Sequence, residues 1–357
     1  MKIPVTDKER CTMRSTWKKI FALCLAALMA FGCLTACGGD TDPEETQLQT
    51  EPAPTQSPEE TAVLKVLTLG HSLAVDAGHM LALIANAEGY KELKVGTLYY
   101  SGCSLKQHAE FSLTDSREYN LYISGTDTAA KTPEIMQGVT MKEALRYDYW
   151  DVILMQGAVF EIGRDEAYTN GNIQAIQKYV NEYKMNPTAI FGWNMAWTPP
   201  MDMDLLATYP ADLNGYLGSY ATYNNDRSVM YQSITQCVKN NILTDETFRF
   251  VIPSGTVVEN ALTSYLTEKD LYRDYVHASD LTRVMVSYVW FCKLTGVDHL
   301  DTLKLDVIPK NFFKSTQSYE DWVLSDGEKA LILETVNNAL ANPFQVTPSV
   351  YTDAPAA

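Results

Sequence analysis

The stretch Val63-Leu-Lys-Val-Leu-Thr-Leu-Gly-His-Ser-Leu73 decides the fold of this chain. An apolar, β-branched run of strand length reaches Gly70, and the apolar residues after it recur at helical spacing as far as Ala87. The pattern predicts a buried strand that enters a tight turn, and a helix that begins at that turn. Ser72 lies in the turn, where free backbone N–H groups at the helix start favour negative charge.

Ser72 therefore has two interpretations. A nucleophilic serine needs this setting, because its tetrahedral intermediate carries an oxyanion. The alternative is that Ser72 is only a helix N-cap, which is a common role for serine. The stretch by itself leaves both interpretations open.

The rest of the chain alternates short apolar segments with helical patterns. The further strands are predicted at 93–100, 150–155, 188–193 and 248–252, and the helices at 173–183, 229–238, 281–294 and 328–340. This alternation is typical of parallel strands that are covered by helices on both faces. We expect one α/β domain over residues 62–344, a three-layer α/β/α sandwich with a mostly parallel five-stranded sheet. Residues 107–146 and 201–224 show no clear period and are interpreted as surface excursions.

The front of the chain has the features of a targeting segment. Lys18 and Lys19 precede a short apolar run, and Leu34-Thr-Ala-Cys37 follows it. The run is too short to span a bilayer comfortably but suits a signal peptide. The stretch Leu34–Cys37 resembles a bacterial lipobox, which implies a lipoprotein signal peptide over 1–36 and lipidation of Cys37. The alternatives are a plain secretory signal and an uncleaved anchor.

Two further segments lack the apolar residues that a core needs. Residues 37–61 are rich in Pro, Thr, Glu and Gln, which predicts a disordered acidic tether. Residues 345–357 have little periodic signal and are predicted to form a flexible C-terminal tail.

Charge excludes some classes of partner. The chain has 28 Lys and Arg against 44 Asp and Glu, and removal of 1–36 takes away six basic and two acidic residues, which leaves 22 against 42 and a net charge of −20. Nucleic acid and anionic membrane surfaces need positive charge, so neither is expected as a partner. The membrane is expected to be reached only through the lipid on Cys37, with the domain outside the cytoplasm. The four cysteines that remain are too few for a disulfide framework.

One histidine has an acidic companion at an informative spacing. In Asp274-Tyr-Val-His277 the carboxylate precedes the imidazole by three residues, just ahead of a predicted helix. On a tight turn this spacing allows the carboxylate to bind one ring nitrogen, which selects the tautomer that serves as a general base. The alternative is a surface Asp beside a loop His. Two other pairs, Cys103 with His108 and Asp76 with His79, are weaker candidates for a thiol pair and a metal site, and no metal site is predicted.

In combination, these motifs resemble those of the SGNH, or GDSL-type, hydrolase superfamily. More narrowly, the chain resembles a group of uncharacterised SGNH-like secreted bacterial proteins. The shared stretches are Val66-Leu-Thr-Leu-Gly-His-Ser72, Ser101-Gly-Cys-Ser-Leu105, Trp150-Asp-Val-Ile-Leu-Met-Gln156, Ile252-Pro-Ser-Gly255 and Arg273-Asp-Tyr-Val-His277. The resemblance covers about residues 63–300 and implies a flavodoxin-like sheet.

The resemblance implies roles for particular residues. Ser72 would be the nucleophile, His277 the base and Asp274 its partner, with the backbone N–H groups of Ser72 and Gly102 in the oxyanion hole. No cofactor is implied. This chain departs from the superfamily pattern at His71, where Asp is usual, and it lacks the Gly-x-Asn-Asp block whose Asn donates to the oxyanion.

Gln156 stands at the strand end where that block is expected. Its amide is a candidate replacement donor, since Gln and Asn side chains both serve in oxyanion holes. The alternative is a structural amide that joins two loops, and Asn194 is a weaker replacement.

Two functional hypotheses follow from these features. The first is a surface-anchored serine esterase that removes acyl groups, above all acetyl, from carbohydrates or small molecules. The second is a lipoprotein that keeps the scaffold, has lost turnover and binds carbohydrate. Aromatic residues near the predicted strand ends are candidates for stacking on sugar rings, with core packing as the alternative; they are Tyr99, Tyr100, Tyr122, Trp193, Trp197 and Tyr272.

Overall fold

The predicted first strand lies inside a seven-stranded sheet. The structure is a computed structural model, which describes residues 63–78, 80–90, 92–125, 134–206, 208, 222–309 and 321–354. The predicted signal peptide, the tether, Cys37 and His79 lie outside the described residues. The strands of this sheet are β1 Val63–Gly70, β2 Glu92–Tyr99, β3 Tyr119–Ser124, β4 Glu134–Val139, β5 Val152–Met155, β6 Ile190–Asn194 and β7 Phe248–Ile252.

The order of the strands is β4-β3-β2-β1-β5-β6-β7. The five strands β2, β1, β5, β6 and β7 are mutually parallel, as the sequence predicts. The chain passes from β1 to β2 on one side and then returns to β5 on the other side of β1. Open α/β sheets bind ligands at such a reversal, outside the carboxyl ends of the strands.

The sheet is wider than the sequence predicts. Strands β3 and β4 extend it antiparallel beyond β2, in the stretch that was interpreted as an excursion without elements. The pairing of β3 with β4 shifts register at Tyr119, and the extra residue is Gly138, which has a left-handed φ of 65°. This geometry is a β-bulge with glycine in the left-handed position. The prediction of five strands is therefore wrong by these two.

Twelve helices are described. They are α1 Ser72–Gly78, α2 Leu81–Ala87, α3 Leu105–Leu113, α4 Met141–Leu145, α5 Asp165–Thr169, α6 Asn172–Tyr183, α7 Met203–Leu206, α8 Arg227–Asn241, α9 Ser254–Ala261, α10 Glu268–Leu271, α11 Asp280–Thr295 and α12 Asp326–Ala341. A separate two-stranded antiparallel sheet is formed by β8 Val307–Pro309 and β9 Asp321–Val323. None of the helices in the described ranges is long and apolar enough to cross a membrane.

The helices pack in two groups. One group surrounds α11, which contacts α1, α2, α9 and α12 as well as β7. The other group surrounds α6, which contacts α3, α4 and α5. The helix α11 is buried over nearly its whole length, and it begins where Ser279 Oγ accepts a hydrogen bond from the Thr282 N–H. The result is the predicted α/β fold, with a mostly parallel central sheet flanked by helices.

The central parallel strands are apolar because both of their faces are covered by helices. Val66, Leu67 and Leu69 of β1 are buried, and all four residues of β5 are buried. Near-continuous apolar runs of this kind are typical of central parallel strands.

Part of the predicted tail is bound to the domain. Thr347 N–H donates to Asn260 Oδ1, and Tyr351 O accepts a hydrogen bond from the Tyr265 N–H. The weak periodic signal of residues 345–357 did not reveal these contacts, because they join the tail to residues far away in the chain.

Candidate active site

Ser72 is the first residue of α1 and lies just after the carboxyl end of β1. The carbonyl of His71 accepts hydrogen bonds from the N–H groups of Ala74 and Val75, at 3.0 and 3.2 Å, and these bonds close the first helical turn. The Ser72 side chain is half-buried. A hydroxyl is therefore presented at the edge of the sheet where the strand order reverses.

Gly70 makes the turn possible. A Cβ at this position would lie 2.7 Å from Ala74 Cβ and 3.2 Å from Gln156 Nε2. Contacts below about 3 Å are not tolerated between real side chains, so the close approach of α1 to β1 requires glycine.

Asp274 and His277 form the pair that their spacing predicts. His277 Nδ1 lies 2.9 Å from both carboxylate oxygens of Asp274, and the backbone N–H of His277 donates to Asp274 Oδ1 at 2.9 Å. The Val276 N–H donates to the same oxygen at 3.0 Å. The carboxylate therefore fixes both the ring and the backbone of the turn.

The environment of Asp274 keeps it ionised. Burial alone would raise its pKa, but the hydrogen bonds from His277 and the charge of that imidazole lower the pKa of Asp274 below its usual value. An ionised Asp274 accepts the Nδ1 proton of His277, and this contact selects the tautomer of the neutral ring in which Nε2 is free to accept a proton.

Ser72 and His277 line one cavity of about 230 Å³. Its other lining residues are Val75, Asp76, Tyr99, Tyr122 and Arg273. No hydrogen bond joins Ser72 Oγ to His277 in the part of the chain that the structure describes. In structures without substrate such bonds are often long, and they tighten when substrate binds.

Asp76 connects the serine to the histidine, and the sequence interpretation missed this role. It lies four residues after Ser72 on α1, and it is 1% exposed. Its carboxylate accepts from Arg273 Nη1 at 2.9 Å, from Arg283 Nε at 3.0 Å and from the Ala278 N–H at 3.0 Å. Because Ala278 directly follows His277, Asp76 binds the serine helix to the backbone beside the base.

Arg283 completes this cluster inside the protein. Its side chain is 2% exposed, and Nη1 donates to Asp280 Oδ1 at 2.7 Å. Arg273 is part of the shared motif Arg273-Asp-Tyr-Val-His277, and Asp76 lies one helical turn after Ser72. These two positions were the available signals in the sequence, but nothing in it indicates that they meet.

His71 fills the position where the superfamily usually has Asp. It is buried, its Nε2–H donates to Gly157 O at 3.1 Å, and its Nδ1 accepts from the Leu73 N–H at 3.4 Å. Burial lowers the pKa of His71 to about 4, with a further contribution from the charge of His277. The neutral ring ties the serine turn to the loop after β5.

The predicted oxyanion residues differ in their positions. Gly102 is exposed and has a left-handed φ of 59°, three residues after the end of β2. The Tyr100 N–H donates to Gly70 O at 3.5 Å, so the turn that contains Gly102 is adjacent to the serine turn. Ser72 itself lines the cavity, whereas Gly102 does not belong to its lining.

Gln156 does not reach the cavity in this conformation. It is 0% exposed, and its Oε1 accepts from Asn194 Nδ2 at 2.8 Å. Asn194 Oδ1 in turn accepts from Ser254 Oγ at 2.7 Å and from Trp290 Nε1 at 3.2 Å. This network joins the ends of β5, β6 and β7 to α11, and its geometry matches the alternative of a structural amide. Its Nε2 is buried beneath Gly70 without a hydrogen-bond partner.

The aromatic candidates divide into two groups. Tyr99 and Tyr122 line the cavity, and their rings meet edge to face with centroids 5.3 Å apart. The others do not line it: Trp193, Trp197 and Tyr272 are at most 2% exposed and belong to the core, and Tyr100 packs edge to face against Phe111. Only the first group is placed to contact a ligand in this cavity.

The structure does not support a thiol pair of Cys103 with His108. Cys103 is buried, and burial raises the pKa of its thiol. His108 bonds Tyr119 OH through Nδ1 at 2.8 Å, and burial lowers its pKa to about 3. Cys103, Cys237 and Cys292 are free and buried, and the described ranges contain no group of three side chains that could hold a metal ion.

The fold and the site together define a class of protein. A serine at the end of the first strand and an Asp-x-x-His turn before a long helix lie on an α/β scaffold with a mostly parallel central sheet. The chain belongs to the DUF4886 family, a domain of unknown function, whose sequence pattern matches residues 65–311. No curated protein matches the chain significantly in sequence.

Two solved structures are similar to this chain. One is a DUF4886 family protein from Bacteroides uniformis ATCC 8492, which is 22% identical, with a TM-score of 0.65 over 82% of this chain and 100% of that chain. The other is a candidate SGNH hydrolase from Slackia heliotrinireducens, which is 16% identical, with a TM-score of 0.38 over 65% of this chain and 100% of that chain. At this identity the first likeness shows the fold alone.

Removal of the Asp76 carboxylate should destabilise the protein strongly. Asp76→Ala leaves the Arg283 guanidinium buried with one of its two carboxylates gone, and breaking a buried ion pair in this way costs about 3–5 kcal/mol. The measurement is the free energy of unfolding in urea. Asp204→Ala is the control, because Asp204 bonds Lys269 on the surface with its side chain 83% exposed. Equal, small losses in both variants would contradict the role of Asp76.

His71 should make the protein sensitive to acid. Its pKa is 6.5 in a model peptide and about 4 when folded, so the unfolded chain binds the extra proton between these values. Stability that His71 contributes above pH 6.5 is therefore lost as pH falls towards 4. We expect His71→Gln to lose less stability than wild type across this window. His299→Gln, at a side chain 64% exposed, is the control and should follow the wild-type curve.

Proposed function

We propose that this protein is a serine ester hydrolase that removes small acyl groups, above all acetyl, from carbohydrate or other hydroxyl-bearing substrates. The observation that carries the proposal is that Ser72 and His277, whose ring is bound by Asp274, line one cavity. They come from positions about 200 residues apart in the chain, and each has the local geometry that its role needs.

The chemistry follows from the positions of these groups. His277 Nε2 takes the proton of Ser72 Oγ as the oxygen attacks the ester carbonyl. The tetrahedral intermediate places its negative charge near the backbone N–H groups of the serine turn and the Gly102 turn. Its collapse expels the alcohol, which receives the proton from His277, and water then hydrolyses the serine ester by the same route in reverse.

The walls of the cavity support a small acyl group on a sugar. A volume of about 230 Å³ suits a short acyl chain better than a long one. Tyr99 and Tyr122 present aromatic faces and edges at the cavity, and such rings pack well on the apolar faces of sugars.

One observation favours the rival function, a protein that binds carbohydrate without turnover. Among the described residues that line the cavity, none is an amide side chain like the superfamily's donor, and Gln156 is buried outside that lining. If backbone N–H groups alone do not stabilise the oxyanion, the site would bind its ligand and leave the ester intact.

A fluorophosphonate probe and aryl acetate hydrolysis distinguish these functions. We expect wild type to be labelled on Ser72 and to hydrolyse the ester. Ser72→Ala and His277→Ala should each lose about as much turnover as the double variant, because either change alone stops activation of the nucleophile. Ser233→Ala is the control, since this serine lies on α8 and does not line the cavity. Losses that multiply in the double variant would contradict the triad, and absence of labelling would favour the binding protein.

We also propose that the domain is held outside the cytoplasm by lipid on Cys37. The proposal rests on the lipobox-like stretch Leu34–Cys37 and on the acidic residues that follow it. Two acyl chains on one cysteine give stable anchoring where a single chain does not.

Substitution of Cys37 should release the domain from the membrane. Cys37→Ser removes the thiol that accepts the lipid, so the protein should appear in the medium or remain as an unprocessed precursor. Cell fractionation with an antibody to the domain measures this, and Cys33→Ser is the matched control. A processed Cys37→Ser variant that stays with the membrane would rule out this anchor.

A further inference from the structure

The short turn between Gly157 and Glu161 touches both halves of the proposed oxyanion hole. On one side, Gly157 O accepts the Nε2–H of His71, the residue directly before Ser72. On the other side, Glu161 Oε1 accepts the N–H of Leu105 at 2.8 Å. Leu105 is the first residue of α3 and lies three residues after Gly102.

The turn is itself closed by the same carboxylate oxygen. Glu161 Oε1 also accepts the Ala158 N–H at 2.9 Å, and the Glu161 N–H donates to Ala158 O at 2.8 Å. A single oxygen therefore binds the N–H of this turn and the N–H of α3. Because bonds to a charged acceptor are stronger than neutral ones, the carboxylate holds the two segments together firmly.

We propose that Glu161 is a positioning residue that sets the distance between the Ser72 and Gly102 backbone donors. This inference rests on the proposed ester hydrolysis. Glu161 does not line the cavity and is not expected to touch substrate. It acts through the backbone of 102–105, while His71 holds the other end of the same turn.

The position that Glu161 sets matters because the superfamily's amide donor is missing from this oxyanion hole. Because Gln156 Nε2 is buried beneath Gly70 and Gln156 does not line the cavity, the oxyanion depends on backbone N–H groups from two separate turns. A small displacement of one turn removes a donor from the oxyanion, and loss of one donor typically costs 10²–10³ in turnover. A carboxylate that joins the turns prevents this displacement.

A comparison of an ester with its thionoester tests the proposal. In a thionoester, sulfur replaces the carbonyl oxygen, and sulfur is a weak hydrogen-bond acceptor. An enzyme with a well-formed oxyanion hole therefore prefers the ester. The probes are an aryl acetate and the matching O-aryl thionoacetate, with kcat and KM measured for each.

Glu161→Ala should lower kcat for the ester by about 10²-fold and change KM little, since the oxyanion exists only after attack. Turnover of the thionoester should fall less, so the ratio of the two rates should fall. Glu161→Gln keeps an oxygen acceptor and should restore most of the ratio. Glu161→Asp withdraws the carboxylate by one methylene and should not. Glu166→Ala, an exposed residue of α5, is the control and should keep the wild-type ratio.

Each outcome separates the two proposals. If wild type hydrolyses the ester and folded Glu161→Ala shows the same ratio of ester to thionoester rates, the role of Glu161 is overturned. The proposed esterase function is then unaffected. If Glu161→Ala does not fold, an unchanged ratio in Glu161→Asp overturns the role of Glu161 equally. Absence of both hydrolysis and fluorophosphonate labelling in wild type overturns the esterase and this inference with it.

Discussion

The buried carboxylate of Asp76 is the constraint on which the site depends. It lies on the serine helix, yet its partners Arg273 and Arg283 and the Ala278 N–H all belong to the segment around His277. Two guanidinium groups at 37% and 2% exposure cannot leave this carboxylate without exposing or stranding charge. The separation of Ser72 and His277 is therefore set by this ion cluster.

The same principle recurs at the other strand ends. Polar side chains that would be costly to bury alone are grouped into networks that tie loops together. Gln156, Asn194, Ser254 and Trp290 bond one another behind the cavity, and His71 bonds Gly157 beside it. Networks of this kind favour one arrangement, because each broken bond leaves a buried group unpaired. These contacts lie beneath the site, and Tyr99 and Tyr122 line the cavity.

The sequence revealed what is local and periodic. The five parallel strands, the long helices and the Asp274–His277 turn each depend on residues close together in the chain, so their patterns are visible. Strand β4 was missed because it is largely exposed and has no apolar alternation, and β3, whose alternate residues are buried, was overlooked within the same polar stretch. Asp76 and Arg283 are 207 positions apart, and the sequence left open whether Gln156 is an oxyanion donor or a structural amide. Contacts between residues so far apart in the chain depend on tertiary packing, so they produce no periodic pattern in the sequence.

The bulge in β4 has a consequence for how these molecules meet one another. In the described sheet β4 is the outer strand, with Glu134 and Ile135 exposed, and such an edge offers unpaired backbone groups to a neighbouring molecule. Gly138 interrupts the ladder there, and Arg117 Nη1 donates to its carbonyl at 2.9 Å while Nη2 pairs with Glu143. The Gly138 carbonyl at this edge is therefore already bonded, and the charged pair of Arg117 and Glu143 lies beside it. Strand-to-strand aggregation through this end of β4 is disfavoured as a result.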